Sequence, residues 1–140
     1  MKIMICGSMA FAKDMVKIKN QLAKMGHQAN LPHGTEPHLK DKEFVDKLDD
    51  NYEYCIKNNI MKKCFDQVAE SDAVLVLNLT RNGVDGYIGV SALMEMGVAH
   101  HLNKKIFLFN KIPDYKNQRW AHEVSIMQPK ILDGDLTKIK

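Results

Sequence analysis

The chain alternates between short apolar runs and longer amphipathic stretches. Residues 2–6 (KIMIC) form the first apolar run, which predicts a short strand, and Gly7 and Ser8 after it are a turn signal. In the next stretch, apolar side chains recur at steps of four and three, as on one face of a helix: Phe11, Met15, Ile18, Leu22 and Met25. Gly26 follows directly, in the position favoured just past a helix C-terminus. The pattern predicts a strand, a turn and a helix, in that order.

The middle of the chain predicts a second strand, a long helical region and a buried strand. Residues 28–31 are a short run suited to a strand. Residues 41–71 are expected to be helical, in two pieces broken near Asp50 and Asn51. Residues 72–79 (DAVLVLNL) form a continuous apolar run, which is typical of a strand that is covered on both faces.

The remaining elements repeat the alternation. Residues 80–89 (TRNGVDGYIG) read as a loop that leads into a helix ending near Leu102 and Asn103. Residues 104–110 (KKIFLFN) predict another buried strand, residues 113–129 are mostly loop or short helix, and residues 130–132 predict a last strand. Strands that alternate with helices indicate a parallel sheet with helices on both faces. We therefore expect a single doubly wound α/β domain, Rossmann or flavodoxin-like, with a mostly parallel sheet of about five strands.

Three loops follow the carboxyl ends of the predicted strands, where ligands bind in sheets of this kind. The first contains Gly7, Ser8 and Met9, the second runs from Asn78 to Gly89, and the third covers residues 110–113. Met9 and Asn78 are candidate binding residues on this ground.

Glu95 is the residue whose position most needs an explanation. It is the only formally charged side chain between residues 86 and 103, in a segment that otherwise looks built to lie against a core. A buried carboxylate is costly unless it is paired, hydrogen-bonded or neutralised. Glu95 is either a nucleophile or general base with a pKa set by apolar surroundings, or a structural carboxylate satisfied by lysine or backbone N–H groups. Ser91, four residues earlier, projects from the same helix face.

Glycines and a serine mark two places that could hold an anion. Gly83, Gly86 and Gly89 precede the Glu95 helix at intervals of three, and glycines let a backbone approach a phosphate at a helix N-terminus. The spacing matches neither the P-loop nor the dinucleotide-binding pattern, and a plain flexible loop is an equal reading. Ser8 either holds a phosphate or sugar or simply caps a helix, and the two roles can coexist.

Composition and charge exclude several classes of partner. A net charge of +3, with acids and bases interleaved, argues against a nucleic-acid polymer and against a membrane surface. No stretch approaches the roughly 18 apolar residues of a membrane span.

Three cysteines without a CxxC pattern suit free thiols in the cytoplasm. The histidines show no metal-binding spacing, so neither a metal nor another cofactor is expected. The lone Trp120 either covers a base-sized ligand or packs over the sheet edge.

Several of these segments, taken in order, resemble the nucleoside 2-deoxyribosyltransferase-like superfamily, which includes the 2′-deoxynucleoside 5′-monophosphate N-glycosidases. The segments are the strand ending in CGS, the strand SDAVLVLN and the stretch GYIGVSALMEMGVAHHLNKKIFLFN. The most specific is MEMGVA (94–99), which is similar to the helix that carries the family's nucleophilic glutamate. The resemblance extends over most of the chain, so residues 1–140 are expected to form one domain of this kind.

The resemblance implies that Glu95 attacks the anomeric carbon of a (deoxy)ribosyl group and expels the nucleobase. Water would then give hydrolysis, and a second base would give transfer. The substrate would be a nucleoside or its 5′-monophosphate. A catalytically silent nucleotide-binding module of the same fold is the alternative. Tyr87 would orient the carboxylate, and the sugar or 5′-phosphate would contact four residues: Gly7, Ser8, Gly89 and Ser91.

The chain departs from the family pattern at two positions. An aspartate is expected about eight residues before Asp72, where this chain has Cys64, and Asp66 is the candidate that replaces it. A serine is expected six residues before the glutamate, where Gly89 stands and Ser91 is the nearest serine. The resemblance also implies a homodimer or larger homo-oligomer, with helices in 41–71 and 88–102 supplying the contact.

Overall fold

Five short parallel strands form one sheet in the computed structural model, which describes all 140 residues. The order across the sheet is β2-β1-β3-β4-β5. The strands are β1 (Lys2–Cys6), β2 (Gln28–Asn30), β3 (Ala73–Val76), β4 (Lys105–Leu108) and β5 (Lys130–Ile131). Every neighbouring pair is parallel, which confirms the predicted doubly wound α/β fold.

Six α-helices and three single-turn 3-10 helices connect the strands. The α-helices are α1 (Ala12–Lys24), α2 (Glu36–Lys40), α3 (Leu48–Lys57), α4 (Ile60–Glu70), α5 (Val90–His101) and α6 (Ala121–Ile126). The 3-10 helices cover Met9–Phe11, Phe44–Asp46 and Leu136–Lys138. None of the α-helices combines the length and hydrophobicity that a membrane crossing requires.

The two faces of the sheet bury two separate apolar clusters. Side chains alternate along β1, so Ile3 and Ile5 join the cluster under α1, whereas Met4 and Cys6 join the opposite one. Helices α4 and α5 cover this second face, together with α6. Because these helices shield the second face from water, a polar group placed there is desolvated.

Helix α1 ends as the sequence predicts. Gly26 has φ +87°, a left-handed conformation that costs glycine little. Its N–H donates to the Ala23 carbonyl at 3.0 Å, and the His27 N–H donates to the Leu22 carbonyl, also at 3.0 Å. These two bonds form a Schellman motif, which satisfies carbonyls that the helix end leaves free.

The helical region 41–71 is not built as predicted. The break between its two long helices lies at Asn58 and Asn59, not at Asp50 and Asn51, and Asn59 adopts φ +52°. Asparagine tolerates this left-handed conformation better than most residues. Asp49 and Asp50 instead lie in the first turn of α3, where negative side chains favour the helix dipole. The predicted break at Asp50 and Asn51 is therefore wrong, because both residues lie inside α3.

The sheet reverses its winding direction between β1 and β3. The chain moves from β1 to β2 on one side and then returns to place β3 on the other side. The loops after β1 and β3 consequently diverge and leave a crevice at the carboxyl ends of these two strands. This reversal is where sheets with this strand order bind their ligands.

Candidate functional site

A cavity of about 280 Å³ opens at the carboxyl ends of β1 and β3. Gly7, Ser8 and Met9 line it from the loop after β1. The loop after β3 contributes Arg81, Tyr87 and Gly89, and the first turns of α5 contribute Ser91 and Glu95. The predicted first and second loops therefore meet, and seven of the predicted site residues line one cavity: Gly7, Ser8, Met9, Tyr87, Gly89, Ser91 and Glu95.

The turn at Gly7 requires glycine. Its φ is +155°, and a Cβ atom there would lie 2.9 Å from the Leu77 carbonyl oxygen and 2.9 Å from the end of the Met15 side chain. Real Cβ atoms do not approach a backbone oxygen so closely. The absence of a side chain at Gly7 lets the loop after β1 turn tightly against the end of β3.

Glu95 is the only carboxylate among the residues that line the cavity. It lies on α5 and is 6% exposed. Its helix is apolar on nearly every side, and the neighbouring Ala92 and Met96 belong to the second apolar cluster. The expected side-chain direction holds for Ser91, which lies one turn earlier and lines the same cavity.

Burial raises the pKa of Glu95 to about 7. Desolvation is the largest cause of this shift in pKa, and the influence of the Cys6 and Cys64 thiols opposes it. Within the single chain, neither a lysine nor a backbone N–H is among the causes of the shift in the pKa of Glu95. At neutral pH the group is divided between carboxylate and acid. A group poised in this way is suited to nucleophilic or acid–base chemistry.

Arg81 brings a positive charge to the cavity beside Ser8. Its Nη1 donates to Ser8 Oγ at 2.9 Å, and its Nη2 donates to Asp46 Oδ1 at 2.8 Å. The guanidinium lies 5.8 Å from the centre of the Tyr87 ring, on its face. Ser8 Oγ also accepts from the Ala10 N–H at 3.2 Å, so Ser8 caps the Met9–Phe11 helix. The capping role and a ligand-binding role are compatible at this residue.

Sequence reasoning missed Arg81 although a signal for it existed. Arg81 is one of two arginines in the chain, and it lies in the loop after the third predicted strand. It is the only lysine or arginine in residues 80–89, among three glycines. The arginine side chain is 18% exposed, which is low for a surface cation and indicates that it is held in place.

The far wall of the cavity comes from the segment between β2 and α4, which also escaped sequence analysis. Its polar contributors are His33, His38, Asn51 and Tyr54. His38 is buried, its Nδ1 atom has no hydrogen-bond partner, and burial lowers its pKa. The local sequence does not predict that these residues line a cavity, because they do so only once α2 and α3 have packed over the strand ends.

Asp66 and Asn78 do not reach the cavity. Asp66 lies on the exposed face of α4, where it pairs with Lys62 at 3.2 Å. Asn78 Oδ1 accepts from the Asn110 N–H at 2.7 Å, and its Nδ2 donates to the Asn110 carbonyl at 3.1 Å. Asn78 thus ties the loop after β3 to the loop after β4. It has a structural task instead of the predicted contact with substrate.

Two further expectations are corrected in the same region. Gly86 does not border the cavity; a Cβ atom there would lie 2.5 Å from the Lys111 carbonyl oxygen, so this glycine allows close packing of two loops. The third predicted loop, 110–113, packs against Gly86 and does not line the cavity. Trp120 packs against the second apolar cluster, with its ring 6.5 Å from that of Tyr87, which favours the packing reading.

Comparison with solved structures finds a similar chain course in the structure of Clostridium botulinum CMP N-glycosidase, BcmB. The similarity covers 94% of this chain and 85% of that chain, with 14% sequence identity and a TM-score of 0.49. A likeness at this level carries no argument about the reaction. No family model and no curated protein matches the sequence. No group of three or more His, Cys, Asp or Glu side chains is arranged to hold a metal ion.

Proposed function

We propose that the protein cleaves or exchanges the N-glycosidic bond of a (deoxy)nucleoside or its 5′-monophosphate, with Glu95 as the nucleophile. The observation that carries the proposal is the isolated Glu95 carboxyl group, buried at the edge of a nucleoside-sized cavity and poised to ionise near neutral pH. The sequence resemblance around MEMGVA points to the same residue and the same chemistry.

In this mechanism the carboxylate attacks the anomeric carbon, and the bond from that carbon to the nucleobase nitrogen breaks. The bonding electrons leave with the base, which takes up a proton. A sugar–enzyme ester remains, as in retaining glycosidases. Water or a second base then attacks the ester and restores the Glu95 carboxylate. Because desolvation raises the free energy of the charged form, it makes the carboxylate a better nucleophile than an exposed one.

The lining of the cavity offers groups that suit a phosphate and groups that suit a nucleobase. Arg81, Ser8 and the first turn of α5 form a cationic and hydrogen-bonding end, in which the amides at the helix start have no helical acceptors. A 5′-phosphate fits this end. His38 and Tyr54 line the same cavity, and their rings and hydrogen-bonding groups suit a nucleobase.

A nucleotide-binding module without turnover is the second candidate, and one observation favours it. Retaining glycosidases use two carboxyl groups, whereas Glu95 is alone in this cavity and Asp66 lies outside it. A nucleobase is a leaving group that a histidine or water can protonate, so a single carboxylate is sufficient for the first candidate.

Incubation with a panel of nucleosides and 5′-monophosphates, followed by chromatography for free base, tests the proposal. The panel includes ribo- and deoxyribo- forms of each base, with and without a second base as acceptor. Base release by the wild type and not by Glu95→Gln supports it. Tight binding of one panel member without any release would instead establish the binding module.

We also propose that the protein assembles as a homodimer or larger homo-oligomer. Leu48, Tyr52 and Ile56 recur at steps of four along α3 and are 74%, 68% and 67% exposed. Met61, near the start of α4, is 53% exposed. An apolar stripe of this kind is more often an interface than free surface. The stripe lies on α3, the helix that also lines the cavity through Asn51, Tyr54 and Cys55.

A further inference from the structure

We propose that His38 recognises the nucleobase of the bound substrate by donating a hydrogen bond to it from Nε2. The inference deepens the proposed function and rests on it for the class of ligand. The state of the His38 ring and its effect on nucleotide binding can both be measured on protein that is not turning over.

His38 lines the same cavity as Glu95 but comes from a different part of the fold. It lies on α2, which follows β2, and only 5% of the residue is exposed. Two hydrogen bonds order the turn that carries it. The Thr35 hydroxyl donates to the Pro32 carbonyl at 2.6 Å, and the His38 N–H donates to the Thr35 carbonyl at 3.0 Å. The backbone therefore holds the imidazole at the wall of the cavity.

Aromatic neighbours fix the orientation of the His38 ring. The ring meets that of Phe44 edge to face, with 5.0 Å between the centroids and 64° between the planes. Phe44 contacts Tyr54 in the same manner, at 5.9 Å and 84°, and Tyr54 also lines the cavity. Edge-to-face contacts of this kind are directional. The two nitrogens of the imidazole therefore keep different surroundings.

The two ring nitrogens of His38 differ in their access to a ligand. Neither of them hydrogen-bonds to a protein group, and Nδ1 is sealed from solvent. Nε2 is not sealed in this way. Because the residue is almost wholly buried and lines the cavity, Nε2 is the nitrogen that a ligand there can reach. A buried polar ring without a protein partner at either nitrogen points to a partner that the ligand supplies.

Burial also determines where the His38 ring carries its proton. Desolvation lowers the pKa of His38, and the Asp41 carboxylate, which raises it, has the smaller effect. The ring is therefore neutral at physiological pH and carries one proton. On Nδ1 that proton would be a buried donor without an acceptor, which is costly, whereas on Nε2 it can bond to water or to a ligand. The expected tautomer is Nε2–H.

A neutral Nε2–H group suits the leaving group of the proposed reaction. When the bond from the anomeric carbon to the nucleobase nitrogen breaks, the electron pair stays on the base and its charge spreads over ring nitrogens and carbonyl oxygens. A hydrogen bond from Nε2 to one of these atoms strengthens as the charge grows. The proton stays on His38, and the departing base takes up its proton from water. A histidine with a lowered pKa can act as a neutral electrophile of this kind.

Histidine ¹⁵N NMR tests the state of the ring. Ring nitrogens with and without a proton give separate ¹⁵N signals, and His38→Gln identifies those of His38. We expect the proton on Nε2 in the free protein. We also expect the Nε2 signal to shift when a nucleoside 5′-monophosphate binds to the Glu95→Gln protein. A proton on Nδ1, or signals that a bound monophosphate leaves unchanged, would overturn the inference.

Calorimetric titration of Glu95→Gln protein separates contact with the nucleobase from contact with the rest of the ligand. The probes are the nucleoside 5′-monophosphates of the panel and the matching ribose or deoxyribose 5-phosphates, which lack only the base. His38→Ala should weaken binding of the monophosphate by about tenfold and leave the sugar phosphate within about twofold. His38→Gln should retain most of the affinity, because its amide N–H reaches the position of Nε2. His38→Asn should not, because its amide corresponds to Nδ1.

The matched control is His101→Ala. His101 is an exposed histidine at the end of α5 that does not line the cavity, so this change should affect neither ligand. Equal loss of affinity for the monophosphate and the sugar phosphate in His38→Ala would indicate a structural role and overturn the inference. Unchanged binding by His38→Ala, or no binding of any monophosphate, would overturn it as well.

Base release distinguishes this inference from the proposed function. In protein that retains Glu95, His38→Ala should lower kcat, because the hydrogen bond is strongest when the base departs. Undiminished release by His38→Ala would overturn the inference and leave the proposed function standing. Binding that depends on His38 without any release would have the opposite meaning. The contact with the base would then stand, and the proposed reaction would fail.

Discussion

The guanidinium of Arg81 donates to the hydroxyl of Ser8 at 2.9 Å across 73 positions of sequence. This bond joins the loop after β3 to the loop after β1 at the point where the sheet reverses its winding. Arg81 lines the same cavity as Gly89 and Ser91 at the start of α5, and its other terminal nitrogen pairs with Asp46 at 2.8 Å. The loop after β3 therefore supplies a cation to the cavity and the loop after β1 supplies a hydroxyl group.

From this arrangement we expect 5′-monophosphates to bind more tightly than the matching nucleosides. A hydrogen bond to a charged group contributes about 1.5–3 kcal/mol, which predicts a preference of about tenfold or more. Calorimetric titration of each pair on Glu95→Gln protein measures it without turnover. Arg81→Gln should remove most of the preference, and Ser8→Ala and Ser91→Ala should each reduce it.

The matched control for the arginine is Arg119→Gln. Arg119 is the other arginine of the chain, lies on the surface and pairs with Glu123 at 3.0 Å. The preference for the monophosphate should survive this change. Equal affinities of nucleoside and monophosphate for the parent Glu95→Gln protein would contradict a phosphate-binding role for this end of the cavity.

A second prediction concerns the nucleophile. Glu95→Gln should reduce base release by about a thousandfold or more, because the amide keeps the shape of the side chain and loses its nucleophilicity. Circular dichroism should show an unchanged fold. Asp66→Asn is the informative companion, since Asp66 lies on the exposed face of α4 and should retain wild-type turnover. Near wild-type turnover by Glu95→Gln would remove Glu95 from the mechanism.

The sequence predicted the sheet well because strands covered on both faces leave an unmistakable pattern. The continuous apolar run around β3 and the run around β4 need no tertiary information to be recognised. The sequence also identified Glu95, since a single charged residue in an otherwise apolar helix is unusual. Residues close to strand ends, such as Ser8, could be placed because the topology fixes where those ends meet.

The rest of the cavity depends on contacts that no local pattern encodes. His38 and Tyr54 become lining residues only because α2 and α3 fold over the strand ends. Cys64 lines the same cavity as Glu95 only because α4 packs beside α5. Asp66 looked equivalent because it is the right residue type two positions away. Two positions along a helix are about 200° apart, however, and place Asp66 on the solvent side.

A third prediction concerns assembly. Leu48→Glu and Ile56→Glu each place a charge on the exposed apolar stripe of α3 and should dissociate the oligomer, whereas Lys57→Glu should leave it intact. Both stripe side chains are exposed in the single chain, so the fold should survive. Light scattering at micromolar concentration measures the mass of each variant. A monomeric wild type would contradict the proposed interface.

The last prediction follows from the buried carboxyl group and concerns stability. The pKa of Glu95 is about 7 in the folded protein against 4.5 as the ordinary value, so between these two pH values the unfolded chain is ionised while the folded protein holds the proton. The unfolded state then binds fewer protons, and the free energy of unfolding must fall as pH rises through this window. The stabilising contribution is complete below pH 4.5 and is lost by about pH 7.

Glu95→Gln removes this titration. The free energy of unfolding of the variant, relative to that of the wild type, should therefore rise by about 3 kcal/mol across the same window. Urea unfolding at pH 4, 5.5, 7 and 8 measures the difference, with Glu53→Gln on the exposed surface of α3 as the matched control. The control should follow the wild-type curve at every pH. Parallel curves for wild type and Glu95→Gln would show that the carboxyl group titrates alike in both states. In that case burial would not hold its pKa near neutrality, and the nucleophile would lack the desolvation that the mechanism requires.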